Sequence, residues 1–232
     1  MKNAIAFLKK IKKNNNTPWM HAHKDEYLIA KKEFEFLVQE FIVRLQEWDP
    51  QLPHMEIKDC TFRFNRDIRF SDNKNPYKEN FGGFFSYGGK KGNLPGYYLH
   101  ISPKESFLAG GVWLPEANEL LSIRRYLVKH GDKLKKILKD KKFKKIFGEL
   151  NTDYVLKRPP KGFSEDTDHI QFLKYKSFTV SSPLTLEQVL KPGFGKFAVE
   201  QMKVLKPFNH FFSVAVNSKG YMVPSGVADL DD

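Results

Sequence analysis

Apolar residues recur with a helical period towards both ends of this chain and with a strand period in between. Ala4, Phe7, Leu8 and Ile11 fall at i, i+3, i+4 and i+7 with lysines on the other side, which predicts a first amphipathic helix. Asn14-Asn15-Asn16-Thr17-Pro18 reads as a loop supplied with capping residues. A long helix follows over about residues 23–48, with Tyr27, Ala30, Phe34, Leu37, Val38, Phe41, Leu45 and Trp48 on one stripe; Asp49-Pro50 and Pro53 end it.

The period then changes. Residues 61–71 alternate strictly, and short aromatic runs punctuated by glycine and proline continue to Pro115. Four strands are predicted, at about 61–70, 81–87, 96–102 and 106–114, with a fifth near 174–181. The turn Ser102-Pro103-Lys104-Glu105 argues for antiparallel neighbours, and Gly110-Gly111 marks a bulge or a close backbone approach. Helices are expected from Glu116 to about Lys129, over a lysine-rich pair N-capped at Asp140 and ended by Gly148, and at about 194–205 and 207–217. Helix–meander–helix order without repeated βαβ units predicts an α+β fold: an antiparallel meander of about five strands with N-terminal, central and C-terminal helices. One domain over residues 1–222 is expected, with a frayed tail at 223–232.

Charge adds a second layer. The 232 residues carry a net +12. Residues 1–13 supply +5 and residues 129–147 supply +7, so everything else is balanced. The excess therefore lies on two helical segments, where lysines without interleaved arginine or aromatic residues make a poor base-reading surface. A single cysteine, Cys60, excludes an internal disulfide, and no apolar run reaches the roughly 20 residues of a membrane helix. No signal-type apolar block stands in residues 1–13, and a cytoplasmic protein is expected.

The chemistry concentrates on the alternating run. On a regular strand Phe62, Phe64, Ile68 and Phe70 would face the core, while Arg63, Asn65, Asp67 and Arg69 would form a ladder of donors with one acceptor on the other side. Guanidinium groups held on a strand suit a carboxylate or phosphate, and Lys74, Tyr77 and Lys78 follow closely. Arg66 falls on the apolar side, where it requires a carboxylate, a bound anion or a bulge that turns it outward; the outward case is favoured. His100 shares a strand face with Tyr98 and Ser102. The pair His21-Ala22-His23 has no third ligand at metal spacing. Gly82-Gly83 and Gly88-Gly89 lack the strand–loop–helix setting of a phosphate loop. No metal, cofactor or catalytic triad is indicated.

The run Phe62-Arg63-Phe64-Asn65-Arg66-Asp67-Ile68-Arg69-Phe70-Ser71, followed by Asn75-Pro76-Tyr77-Lys78-Glu79-Asn80-Phe81-Gly82, resembles the signature of an uncharacterised family. That family is the domain of unknown function numbered twenty-four sixty-one, found in bacteria and fungi. Gly96-Tyr97-Tyr98-Leu99-His100-Ile101, Gly110-Gly111-Val112-Trp113-Leu114-Pro115, Pro160-Lys161-Gly162-Phe163 and Asp168-His169 agree with it, over about residues 3–217. Ile170 and Met20 depart from the usual proline and phenylalanine. The resemblance implies a single-domain intracellular protein, adds Lys161 as a lid residue and brings no activity with it.

Three functions are carried forward. The first is binding of an anionic small molecule or peptide carboxylate by Arg63, Asn65, Arg66, Asp67, Arg69, Lys78, His100 and Lys161. The second is a hydrolase-type enzyme in the same pocket, with Asp67 or His100 as general base. The third is non-specific nucleic-acid association through the lysine helices. No membrane partner is expected, and the oligomeric state is open.

Overall fold

The structure, a computed structural model, describes residues 1–89 and 94–217. The expected frayed tail at 223–232 lies outside the described residues. Packing divides the chain into two compact units. Residues 1–89, 97–109 and 182–203 belong to the first, and residues 94–96, 110–181 and 204–217 to the second.

In chain order the elements are α1 (Lys2–Lys13), α2 (Thr17–Ala22), α3 (Lys24–Trp48), α4 (Ile57–Cys60), β1 (Phe81–Ser86), β2 (Gly96–Ile101) and β3 (Ser106–Val112). Then come α5 (Ala117–Lys139), α6 (Lys141–Phe147), α7 (Ile170–Leu173), β4 (Phe178–Leu184), α8 (Leu186–Leu190), α9 (Phe194–Met202) and α10 (Lys206–Asn217). The strands form one antiparallel sheet in the order β1-β2-β3-β4, so the fold is α+β with four strands where five were expected.

The missing strand is 61–70, and three local causes remove it. Only isolated bridges form there, Thr61 with Gly83 and Asn65 with Tyr77. The bridges stand four positions apart on one arm and six on the other, so a continuous ladder cannot run between them. Arg66 N–H donates to the Pro76 carbonyl at 2.8 Å, but Pro76 has no N–H to return the bond, and pairing stops. Beyond it, Asp67 accepts from the Arg69 N–H (3.3 Å) and Asn73 from the Asn75 N–H (2.9 Å), side-chain turns that curl the chain into a loop. The expected core face is lost with the strand. Phe64 is buried, whereas Phe62 is 44% and Phe70 97% exposed.

In the first unit α3 is the central helix, and α1, α2, α4, α9 and β1 all pack against it. Its stripe from Ala30 to Leu45 is buried as the periodicity predicts. The α1 residues Ala4, Phe7, Leu8 and Ile11 are buried too, and Glu33 of α3 accepts the Ala4 N–H at 2.7 Å at the positive end of that helix. At the other end of α3, Asp49 is fully buried, and one carboxylate oxygen accepts from the Tyr87 (2.7 Å) and Tyr97 (2.6 Å) hydroxyls.

In the second unit the helix expected to end near Lys129 continues to Lys139, because Ile123, Leu127, Gly131 and Leu134 form one buried stripe. Asp140 caps α6 through the Lys142 and Phe143 N–H groups, both at 2.9 Å, and Gly148 ends it at φ +69°. The glycine pair in β3 is a close backbone approach: a Cβ on Gly111, at φ +111°, would collide with the Phe178 carbonyl oxygen. Gly111→Ala is therefore expected to cost more than about 3 kcal/mol, through both strain and collision. A urea midpoint within about 0.5 kcal/mol of wild type would show that β3 does not need this approach.

Candidate functional site

The segment that carries the arginines is pinned at its middle by one ring. Phe64 packs with Phe7 (5.9 Å), Tyr27 (5.1 Å), Tyr77 (6.1 Å) and Phe81 (5.3 Å), all within the first unit. With Phe64 turned inward, Arg63 and Asn65 are left exposed on either side of it. The Lys78 N–H donates to the Phe64 carbonyl at 2.9 Å, which holds the returning arm alongside.

The expected ladder of Arg63, Asn65, Asp67 and Arg69 does not form, because the strand that would align it is absent. Arg69 and Asp67 instead engage each other, Nη2 to Oδ2 at 2.8 Å and Nε to Oδ1 at 3.0 Å, on an exposed loop. The Arg69 guanidinium holds the Asp67 carboxyl below its ordinary value. Arg66 is neither paired with a carboxylate in the core nor turned outward beside Arg63 and Arg69. Its half-buried guanidinium donates to the Asn75 carbonyl (3.1 Å) and the Ser71 hydroxyl (3.2 Å), closing the loop from within. Lys74 does the same from outside, Nζ to the Ile68 carbonyl at 3.2 Å. These side chains build the loop. Lys161 belongs to the second unit, exposed in a turn beside Gly162 at φ +90°.

Two cations remain available. Lys78 is half-buried, its ammonium 5.3 Å from the centre of the Phe62 ring, and burial together with the nearby charge of Arg63 holds it below the ordinary lysine value. Neither Lys78 nor Arg63 reaches a carboxylate among the described residues. Ring contacts then lead across the sheet. Phe62 meets Tyr98 edge-on (6.3 Å), and His100 stacks on Phe107 (4.6 Å, 8°). Gly82 makes room for this, since a Cβ there would stand 2.9 Å from the Tyr98 hydroxyl.

His100 Nδ1 lies 3.1 Å from the Tyr98 hydroxyl and 3.5 Å from Asn80 Nδ2. The Asn80 amide nitrogen only donates, so with that amide orientation His100 Nδ1 accepts and the neutral ring offers its N–H at Nε2. It borders a shallow depression of about 280 Å3 whose walls carry both charges, Lys12 and Lys104 with Glu79 and Glu105, beside Asn80 and Ser102. Asn80, Tyr98 and Phe62 are site residues that sequence reasoning did not select, although Tyr98 was legible as the i−2 neighbour of His100 on one strand face.

The two-histidine motif has a structural use. His23 stacks on Trp19 at 4.0 Å, and its Nδ1 lies 2.9 Å from the Trp19 carbonyl. Asp168 is not the carboxylate beside His169; Asp132 of α5 lies 3.9 Å from its Nε2. Among the described residues no group of three His, Cys, Asp or Glu side chains is placed to hold a metal ion, and no helix is long and apolar enough to cross a membrane.

Fold and site together define an α+β protein that carries an unpaired arginine–lysine couple next to an aromatic sheet face. The family model described as conserved hypothetical protein (DUF2461) matches residues 3–211, and the chain belongs to this family. No curated protein and no solved structure shows significant similarity to it.

Burial holds His100 below the ordinary histidine value of 6.5, and Glu105 only partly offsets this. The unfolded chain therefore takes up this proton first as pH falls, so the stability tied to neutral His100 is present above about pH 6.5 and lost below it. Urea midpoints are expected to drop more between pH 7.5 and 5.0 in wild type than in His100→Gln. Parallel pH profiles for the two proteins would contradict the assignment of His100 as a half-buried neutral donor.

Proposed function

We propose that this protein binds an anionic small molecule or a peptide carboxylate at Arg63 and Lys78, with the His100 N–H as a flanking donor. The observation that carries this reading is the couple itself. Two cations stand close enough to depress the lysine, one of them is half-buried, and no carboxylate among the described residues neutralises them. Removing a charge from water beside a like charge is unfavourable, and an anion reverses both terms at once. Arg63 supplies a planar fork and Lys78 a point charge, a combination suited to a carboxylate or phosphoryl oxygen pair. The aromatic floor of Phe62 and Tyr98 excludes water from one side of the ligand and strengthens those contacts.

The same geometry ranks binding above catalysis. Asp67 is occupied by Arg69 and its carboxyl is held low, which makes it a weak base. In the same tautomer the His100 lone pair lies at Nδ1, where Tyr98 and Asn80 already engage it. Nucleic-acid association stays third. The lysines at 141, 142, 144 and 145 are exposed around the buried Phe143 and Phe147, which is what a solvated helix face requires on its own.

Inorganic phosphate and a tripeptide with a free C-terminal carboxylate test the reading, with the C-terminal amide of the same tripeptide as control. One of the two anions is expected to raise the melting temperature of wild type and the amide to leave it unchanged. Arg63→Ala and Lys78→Met are each expected to weaken that binding about tenfold or more, consistent with 1.5–3 kcal/mol per charged hydrogen bond. Arg66→Met is expected to lose about 1–2 kcal/mol of stability with its two loop bonds and to keep wild-type affinity. Anion stabilisation that survives both Arg63→Ala and Lys78→Met would remove the couple from the binding function.

A further inference from the structure

The charge left at Arg63 and Lys78 restricts the kind of anion that fits them. Asp67 is the acid that feels Arg63, but its carboxyl is held low first by its hydrogen bonds to Arg69 and only least by the charge of Arg63. Arg69 reaches both Asp67 oxygens, at 2.8 and 3.0 Å, so that pair adds no net charge. Glu79 follows Lys78 in the chain, yet it lines the depression beside His100 together with Lys12 and Lys104. Burial holds His100 below the ordinary histidine value, so near neutral pH it adds a donor and no charge. The couple keeps both of its positive charges.

We propose that the ligand of this site is a dianionic phosphomonoester, with its phosphoryl group on Arg63 and Lys78 and its organic group along the Phe62 ring. The proposal rests on the anion-binding reading above and narrows it to one class of ligand. A carboxylate brings one charge and two oxygens. The planar fork of Arg63 takes both, which leaves Lys78 an oxygen already engaged and the site one charge uncompensated. A phosphomonoester brings three terminal oxygens and, above its second pKa near about 6, two charges. Two oxygens fill the fork, the third meets the ammonium, and the couple is neutralised in full. The second charge matters most at Lys78, which is half-buried beside a like charge, because Coulomb attraction strengthens as water is excluded. The organic group has a surface as well. Phe62 is 44% exposed, its ring centre lies 5.3 Å from the Lys78 ammonium, and it meets Tyr98 edge-on. A group esterified to a phosphate on Lys78 starts within reach of that ring and covers apolar surface that inorganic phosphate leaves wet.

Isothermal titration calorimetry on the full chain separates charge, oxygen count and ester group. The probes are phenyl phosphate, phenyl sulfate, benzoate and inorganic phosphate, at about pH 8, where both phosphates are dianions. Phenyl sulfate has the same ring and the same three terminal oxygens as phenyl phosphate, with one charge fewer. Phenyl phosphate is expected to bind about tenfold or more tighter than phenyl sulfate, and benzoate to bind more weakly than either. It is also expected to bind about threefold or more tighter than inorganic phosphate. Lys78→Met is expected to bring phenyl phosphate and phenyl sulfate within about threefold of each other, and Lys78→Arg to keep the wild-type preference. Both probes are compared on the same variant, so a change in its stability does not imitate the effect. Phenyl sulfate or benzoate binding as tightly as phenyl phosphate, or a preference that survives Lys78→Met, would overturn the dianion and leave an anion site in place. Inorganic phosphate binding as tightly as phenyl phosphate would overturn the ester. Binding of none of the four would remove the anion reading itself.

Discussion

The geometry of the candidate site depends on how the backbone of Tyr77 is satisfied. Tyr77 and Asn65 form a bridge in which the flanking bonds are Arg66 N–H to Pro76 and Lys78 N–H to Phe64. In such a pair the polar groups of the two central residues point away from each other. The N–H and carbonyl of Tyr77 therefore face outward, where a further strand would ordinarily take them. Asn15 takes both: its Oδ1 accepts the Tyr77 N–H and its Nδ2 donates to the Tyr77 carbonyl, each at 3.0 Å. One carboxamide has the donor and the acceptor that an edge strand would offer, and it reaches from the link between α1 and α2. Tyr77 is buried, so leaving either group unpaired would cost about 1–3 kcal/mol.

From that anchor the division of labour among the charged residues follows. The loop beyond Arg66 and Pro76 has no ladder to hold it, so side chains close it: Arg66 from within, Lys74 over the Ile68 carbonyl, and Asp67 with Arg69 across the tip. Each of these is committed to the loop's own backbone or to a neighbour. Arg63 and Lys78 stand on the other side of the bridge, on the stretch that Phe64 fastens to the core, and their side chains have no such task. Position relative to one bridge separates the structural cations from the available ones.

Much of this was legible in the sequence. The α3 stripe, the Asp140 cap, the glycine approach in β3 and the four real strands all follow from periodicity and turn chemistry, which are local. The error at 61–70 is just as instructive. Its alternation is real, and Phe64, Arg63 and Asn65 obey it, but alternation records only which side a residue takes if pairing continues. Whether pairing continues was decided by the unequal spacing of two bridges and by Pro76 on the opposite arm, a residue far enough along the chain that its partner could not be read. Side-chain use by distant backbone, as at Asn15 and Arg66, has no periodic signal at all. Asn15 was visible as one of several capping candidates, and Asn16 proved to be the cap, accepting the Trp19 N–H at 2.9 Å.

The backbone bonds also explain how a like-charged couple survives without a neutralising carboxylate. Lys78 is placed by its own N–H on the Phe64 carbonyl, so its position is fixed by the main chain whatever its ammonium does. The ammonium then rests near the face of Phe62, which lowers the cost of its partial burial, since the negative face of a ring attracts a cation. That attraction is worth about 0.5–1 kcal/mol at a half-exposed position, less than a charged hydrogen bond would supply. The fold therefore tolerates Lys78 beside Arg63 but leaves most of its charge uncompensated. A side chain held by backbone and ring, and spared from any ion pair, reaches a ligand without first breaking a contact that the protein needs. Arg69, Arg66 and Lys74 would each have to give up a bond to do the same, which is the physical reason the proposed anion site is placed at Arg63 and Lys78.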